Sequence, residues 1–312
     1  MSLHCLLLTL SALLGTATPA PRGEPIVRWE APPSFVQGRP YEVAIEIEAP
    51  EGGAAVAGWL LTPSAFSVGG QPLAERGEGG GIELPAGFKV TGSIDLAPHL
   101  RVSADFQLSY AGGPSSGEPL SVRWLRPAPG GLDFMSLPAE ELGRYRVLLS
   151  TNRGEILLEF WPDVAPQHVR NFLDLSYTGF YDGTKFHRVI ENFMLQGGDP
   201  TGTGRGSGPR QLPLEASERP HVRGVLSMAR AADPNSASCQ FFIMHGVQRD
   251  LDGQYSAFGQ VASGMETVDA IATTPKNRQG SELSAPIEPQ RIVRAQVVLA
   301  PEAQPQQKQQ QK

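Results

Sequence analysis

A chain of 312 residues with 40 % hydrophobic and 19 % charged residues has the composition of a soluble protein that can bury the cores of about two domains. Its formal net charge of -6, with no stripe of Lys and Arg, argues against a nucleic-acid partner, because phosphate binding draws on clustered cations. The apolar run Leu6 to Leu14 is too short to span a bilayer, so no stable membrane insertion is expected.

That run is followed by small residues, Gly15-Thr16-Ala17 and Thr18-Pro19-Ala20, and residues 1–20 read as a secretory signal peptide. Pro21 disfavours cleavage after Ala20, so Ala17 is the preferred site. The expected location is outside the cytoplasm, periplasmic or secreted. Cys5 falls inside the leader, which leaves Cys239 alone and excludes an intramolecular disulfide in the mature chain. Cys239 is expected to be buried and inert.

Residues 24–126 read as all-β. Tyr41, Val43, Ile45 and Ile47 alternate with Glu42, Ala44, Glu46 and Glu48, the period of a strand that buries one face. Val102 to Tyr110 and Leu120 to Trp124 repeat the pattern, and turns such as Glu51-Gly52-Gly53 and Glu78 to Gly81 separate the strands. Short strands at this spacing predict a β-sandwich of immunoglobulin-like type, whose role and partner the sequence does not specify. Residues 127–143 open with Pro127-Ala128-Pro129-Gly130-Gly131 and read as a linker. Leu132 to Gly143 could pack on either domain.

A second structured region covers 144–299. Tyr145, Val147 and Leu149, a turn at Ser150 to Gly154, then Ile156, Leu158 and Phe160 predict a hairpin. Ala165-Pro166 opens a helix with Val169, Phe172 and Leu173 on its apolar face, and Gly179 can end it. A second helix is read from Met265, Val268 and Ile271, and a closing strand from Gln290 to Leu299. Residues 300–312 are Gln- and Lys-rich and are expected to be disordered.

Two blocks within this region carry the chemistry. The first is Phe186-His187-Arg188-Val189, followed by Phe193-Met194-Leu195-Gln196-Gly197-Gly198-Asp199. The second is Leu226 to Ala231, then Ser238-Cys239-Gln240-Phe241-Phe242-Ile243, Leu251-Asp252-Gly253 and Phe258-Gly259. In this order they resemble the cyclophilin family of peptidyl-prolyl cis-trans isomerases, over Arg144 to Leu299. The resemblance implies a β-barrel capped by two helices, a mostly β chain overall, and rotation about X–Pro bonds. It also implies proline-containing segments of client proteins as partners.

Carried over by position, the resemblance makes Arg188 the catalytic donor. Phe193, Met194, Phe242 and Leu251 would line the proline pocket. Gln196 and Gln240 would hold substrate carbonyls, although a buried amide braced to nearby backbone is a rival reading of Gln240. The backbone of Ala229, Arg230 and Ala231 would pair with an extended peptide. His187 and Tyr255 complete the expected substrate-binding set. Because no proton moves in this reaction, His187 reads as a packing or positioning residue. Asp250 stands where many eukaryotic members have Trp, so weak cyclosporin affinity is expected. None of the 6 histidines stands at metal-ligand spacing, and neither metal nor cofactor is expected. Gly202 to Gly208 lacks the ending of a phosphate loop and is expected to be a flexible loop beside the groove.

The leading expectation is an isomerase that assists folding of exported proteins. A proline-peptide-binding chaperone or scaffold with little turnover is the alternative. A third reading places the principal function in the N-terminal β-region, as an adhesion or docking domain.

Overall fold

The computed structural model describes residues 23–77, 80–111 and 118–300. The expected leader at 1–20, and all of the expected tail beyond residue 300, lie outside the described residues. Among the described residues ten strands come first: β1 (Ile26–Glu30), β2 (Ser34–Val36), β3 (Glu42–Glu48), β4 (Ala54–Ala57), β5 (Phe66–Val68), β6 (Gln71–Pro72), β7 (Gly81–Leu84), β8 (Lys89–Asp95), β9 (Phe106–Tyr110) and β10 (Leu120–Leu125). There follow α1 (Ala139–Leu142), β11 (Tyr145–Thr151), β12 (Gly154–Phe160), α2 (Pro166–Tyr177), β13 (Arg188–Ile190), β14 (Met194–Gly197), β15 (Val225–Met228), β16 (Phe241–Met244) and β17 (Ala257–Ser263). The last elements are α3 (Met265–Ala272), β18 (Lys276–Gln279), β19 (Glu282–Pro286) and β20 (Ile292–Leu299). Among the described residues no helix is long and apolar enough to cross a membrane.

Two compact units divide these elements. In the first, β3 pairs antiparallel with β1 and β8, and Val43, Ile45 and Ile47 are buried as their alternation predicts. The opposite face carries a charge ladder in which Arg28 and Lys89 flank Glu46 and Glu48. Trp29, Phe66 and Tyr110 pack together, and the Tyr110 hydroxyl donates to the Leu60 carbonyl at 3.0 Å. The expected strand from Val102 is shorter than predicted, beginning at Phe106, because the chain bends at Ser103 and Ala104 before it.

The second unit comprises Pro32–Arg39, Arg101–Phe106 and Ser121 onward, so contacts divide the chain differently from the 24–126 and 144–299 partition. The reason is local. β2 pairs in parallel with β10, and Val36 and Leu125 form one apolar cluster with Leu148, Leu157 and Val298. Residues 127–143, expected as a linker, also pack on the barrel. Ala128 donates to Val297, and Phe134 is fully buried against Tyr145 and Tyr177. The short α1 in this segment had no periodic signature.

The barrel is an eight-stranded sheet in the order β13-β14-β16-β15-β17-β12-β11-β20. Its ends meet through Phe186 N–H to Gln290 O and Ile292 N–H to Thr184 O, both 2.8 Å. Val147, Leu149, Ile156, Leu158, Val189, Leu195, Leu226, Phe241 and Ile243 point inward. α2 begins with Pro166 in its first turn, where the missing N–H is tolerated, and inserts Phe172 among Phe160, Tyr181, Phe241 and Phe258. α3 buries Val268 and Ile271.

One charge sits poorly in this packing. Burial pushes the Glu155 carboxyl up to about 7, and the Ser34 hydroxyl with Arg39 and Arg123 only partly offsets that rise. A carboxyl raised above its ordinary 4.5 favours the protonated fold, so its contribution is complete below pH 4.5 and is lost as pH climbs through about 7. Glu155→Gln is therefore expected to stabilise the protein at pH 8 by about 2 kcal/mol and to be neutral at pH 4. Urea unfolding at the two pH values checks this; an equal effect at both would contradict it.

Candidate active site

Strand register decides which side chains meet. In the β13–β14 hairpin Arg188 lies opposite Gln196, and Ile190 opposite Met194. Across β14–β16, Gln196 lies opposite Phe242 and Met194 opposite Met244; across β15–β16, Ser227 faces Phe242. Directly opposed residues share a face of a sheet. Arg188, Ile190, Met194, Gln196, Phe242 and Met244 therefore lie on one outer face, while Val189, Leu195, Phe241 and Ile243 enter the barrel core. Phe241 is buried in the barrel core, and Phe242 is buried in a separate cluster on the other face.

The outer face carries its own apolar cluster. Met194, Val225, Phe242, Met244 and Ala257 are buried, and Phe193, Ala229, Leu251, Tyr255, Ile190, Val222 and Trp161 pack around them. The structure thus assembles the expected Phe193, Met194, Phe242, Leu251 and Tyr255. Met244, Val225 and Ala257 were missed, because their strand alternation alone does not say which face stays open. Beside them a depression of about 470 Å³ is lined by Trp161, Val222, Val225, Gln260 and Arg219.

Arg188 sits at the edge of this floor, its guanidinium 5.6 Å from the centre of the Phe193 ring and Nη1 4.0 Å from Met194 Sδ. Nε and Nη2 donate to the two oxygens of Glu282, at 2.8 and 2.7 Å. Glu282 was not anticipated; no spacing rule links residues so distant in sequence. The pair is partly exposed.

The rim is braced by polar contacts. Gly198, at φ 82°, lets the chain turn where a Cβ would stand 2.5 Å from the Cys239 carbonyl. Asp199 follows and accepts from the backbone N–H groups of Thr201, Thr203 and Gly204 and from the Thr201 hydroxyl. Burial opposes its charge, but these hydrogen bonds prevail and bring its pKa down to about 2. The expected flexible loop is therefore tied to a buried carboxylate. Gln240 donates to Gly204 O and Gly206 O and accepts from Gln196 Nε2 at 3.0 Å, so its amide braces the loop rather than standing open to a ligand.

On the other side, Asp252 accepts from the His221 backbone at 2.7 Å and lies 3.1 Å from Nδ1, while Nε2 is 3.0 Å from the Ser227 hydroxyl. His221 stacks on Phe242, and Phe242 meets Tyr255 edge-on. This unpredicted histidine holds the turn that presents Leu251. Arg230 covers Tyr255 at 4.6 Å and donates to Gln254 O and Ala231 O. Ala229 N–H bonds Gln240 O and Ala231 N–H bonds Ser236 Oγ, so those two donors are already engaged.

His187, next to Arg188 in sequence, is buried with its ring against Gly204. Burial lowers its pKa, with Lys185 and Arg188 adding to the effect and Asp199 opposing it. Burial also lowers that of His221, against the pull of Asp252. The Cys239 thiol is pushed up to about 11 by burial and by Asp199, which leaves it unreactive.

Residues 146–297 match the family described as "Cyclophilin type peptidyl-prolyl cis-trans isomerase/CLD". A peptidyl-prolyl cis-trans isomerase of Synechococcus elongatus is 49 % identical over 115 residues, 37 % of this chain and 79 % of that protein. A probable peptidyl-prolyl cis-trans isomerase of Brucella abortus is 42 % identical over 164 residues, 48 % of this chain and 81 % of the relative. A solved Cryptosporidium parvum cyclophilin-type isomerase, studied in the presence of the dipeptide Ala-Pro, aligns at 35 % identity and TM-score 0.46. It covers 50 % of this chain and 99 % of its own.

Two lowered histidines give a direct check of this geometry. Imidazole NMR signals of His187 and His221 are expected to titrate with midpoints below 6.5. A midpoint at or above that value would mean that the ring in question is not packed as described.

Proposed function

The chain belongs to the cyclophilin-type peptidyl-prolyl cis-trans isomerases, and we propose that Arg188 is its catalytic donor, acting on proline segments of exported client proteins. An X–Pro bond rotates over a barrier of about 18–20 kcal/mol because resonance stiffens the amide. Uncatalysed exchange takes roughly tens of seconds. Millisecond turnover needs about 10⁴-fold acceleration, or roughly 5.5 kcal/mol of selective transition-state binding.

In the twisted amide the prolyl nitrogen regains its lone pair and can accept a hydrogen bond. In the planar ground state it accepts poorly. A guanidinium N–H aimed at that nitrogen therefore binds the transition state better than the substrate, which is what accelerates a reaction. The pyrrolidine ring would rest on Phe193, Met194, Phe242 and Leu251, and Gln196 would take a flanking carbonyl. The observation that carries this reading is the shared outer face, on which Arg188 stands beside an apolar floor.

Export is supported by the apolar run Leu6 to Leu14 and the small residues after it. A client still unfolded after translocation exposes X–Pro bonds whose slow rotation limits folding.

Arg188→Ala is expected to lower kcat/KM by about 100-fold or more, while the amide NMR spectrum of the barrel is retained. Exchange spectroscopy on a proline peptide measures this in the full chain, and turnover that survives the substitution would sink the assignment. Asp250→Trp is expected to raise cyclosporin affinity by more than about tenfold without loss of turnover, because a large ring would extend the apolar rim beside Leu251. Fluorescence titration of both proteins decides it.

A further inference from the structure

The two oxygens that the Arg188 guanidinium meets among the described residues come from outside the expected site. β18 and β19 form an antiparallel hairpin, with Gln279 opposite Glu282 and Gly280 at φ 64° in the turn. Arg278 Nη1 donates to Ser281 O across that turn, and Ser284 is buried at the base. β19 runs along β13. The hairpin thereby brings Glu282 to Arg188 across 94 residues of sequence, in a two-point contact at 2.8 and 2.7 Å.

We propose that Glu282 is a positioning residue for isomerisation, gripping Nε and Nη2 of Arg188 so that Nη1 is presented over the Phe193–Met194 floor. This rests on the reading of Arg188 as the donor. A two-point grip fixes the plane of the guanidinium, whereas a single contact leaves it free to turn. An unrestrained Arg side chain spreads over many rotamers, and few of them aim an N–H at a bound prolyl nitrogen. The carboxylate takes the side of the fork that faces the hairpin. Nη1 is the nitrogen nearest Met194.

The pair also tempers the positive charge of Arg188. In a partly exposed groove, solvent already screens that charge, so its orientation is worth more to the reaction than its full field. Removing Glu282 is therefore expected to slow turnover rather than to hasten it. The loss should fall on kcat, because the donor acts on the twisted amide, and KM, set by the apolar floor, should hold.

The test is a double-substitution cycle in the full chain, with turnover followed by exchange spectroscopy on a proline peptide. Glu282→Ala is expected to lower kcat by about tenfold with KM unchanged, and Glu282→Gln by less, since one acceptor remains. In an Arg188→Ala background, Glu282→Ala is expected to change nothing. The Arg188 Nε–H resonance, sharp and held in the parent, should broaden in Glu282→Ala while backbone amides stay in place. If Glu282→Ala leaves kcat equal or higher while Arg188→Ala abolishes turnover, the positioning role is overturned and the donor stands. An equal loss in the Arg188→Ala background also overturns it. If Arg188→Ala itself retains turnover, the donor reading fails and this role fails with it.

Discussion

The groove depends on the strict two-residue alternation of β13, β14, β15 and β16. A slip of one residue would exchange the faces of these strands. It would carry Arg188 and Gln196 into the core and throw Leu195 and Ile243 outward. On β16 both faces are apolar, so hydrophobicity alone does not choose between them. Shape does. Phe241 fits edge-on against Phe172 and Tyr181 inside the barrel, and Phe186 meets it from a third side. The next residue, Phe242, is then forced outward to stack on His221 and meet Tyr255 edge-on. Core packing and site geometry are thus one constraint.

The rim of the groove consists of loops, and loops hold shape only where their backbone groups find partners. Asp199 provides several acceptors to a single turn, and the amide of Gln240 ties the same loop to β16. On the opposite side His221 is fixed at both ring nitrogens, between Asp252 and Ser227. A polar group buried without a partner would cost about 1–3 kcal/mol, so each brace is also a strong local preference for one conformation. The loops arrive prearranged around the floor, and less ordering is left for the peptide to impose.

Much of this was legible in the sequence for a physical reason. Strand periodicity, Pro166 at a helix start and the apolar spacing in α2 and α3 are local signals, and they marked the barrel hairpin, both long helices and β20 to within about two residues. The side chains expected to form the apolar floor, Phe193, Met194, Phe242, Leu251 and Tyr255, come from separate motif blocks and meet in one cluster. What could not be read were contacts between distant segments. His221 and Asp252 are 31 residues apart, and Arg188 and Glu282 are 94 apart. Neither pair has a spacing that chemistry requires, so only the folded register joins them. The same holds for the segment 127–143. Its Pro- and Gly-rich opening reads as a linker, while the burial of Phe134 depends on a cleft formed by Tyr145 and Tyr177. The engaged backbone of Ala229 and Ala231 was equally invisible, since Ser236 returns to it only through the local turn.

The Arg188–Glu282 pair also shows why a charge alone is a poor description of the site. An exposed ion pair contributes about 0–1 kcal/mol to stability, too little to explain a dedicated hairpin contact on that ground. Its net charge is near zero, so its field decays quickly and cannot by itself discriminate a twisted amide from a planar one. A hydrogen bond can. The planar prolyl nitrogen has committed its lone pair to the carbonyl, and an N–H pointing at it gains little. The twisted nitrogen offers that pair along one direction, so the gain depends on where the N–H points. Selectivity of this kind grows with the rigidity of the donor. A guanidinium fixed by a carboxylate behind it, with an aromatic ring and a thioether beside it, satisfies that requirement better than a freely hydrated cation.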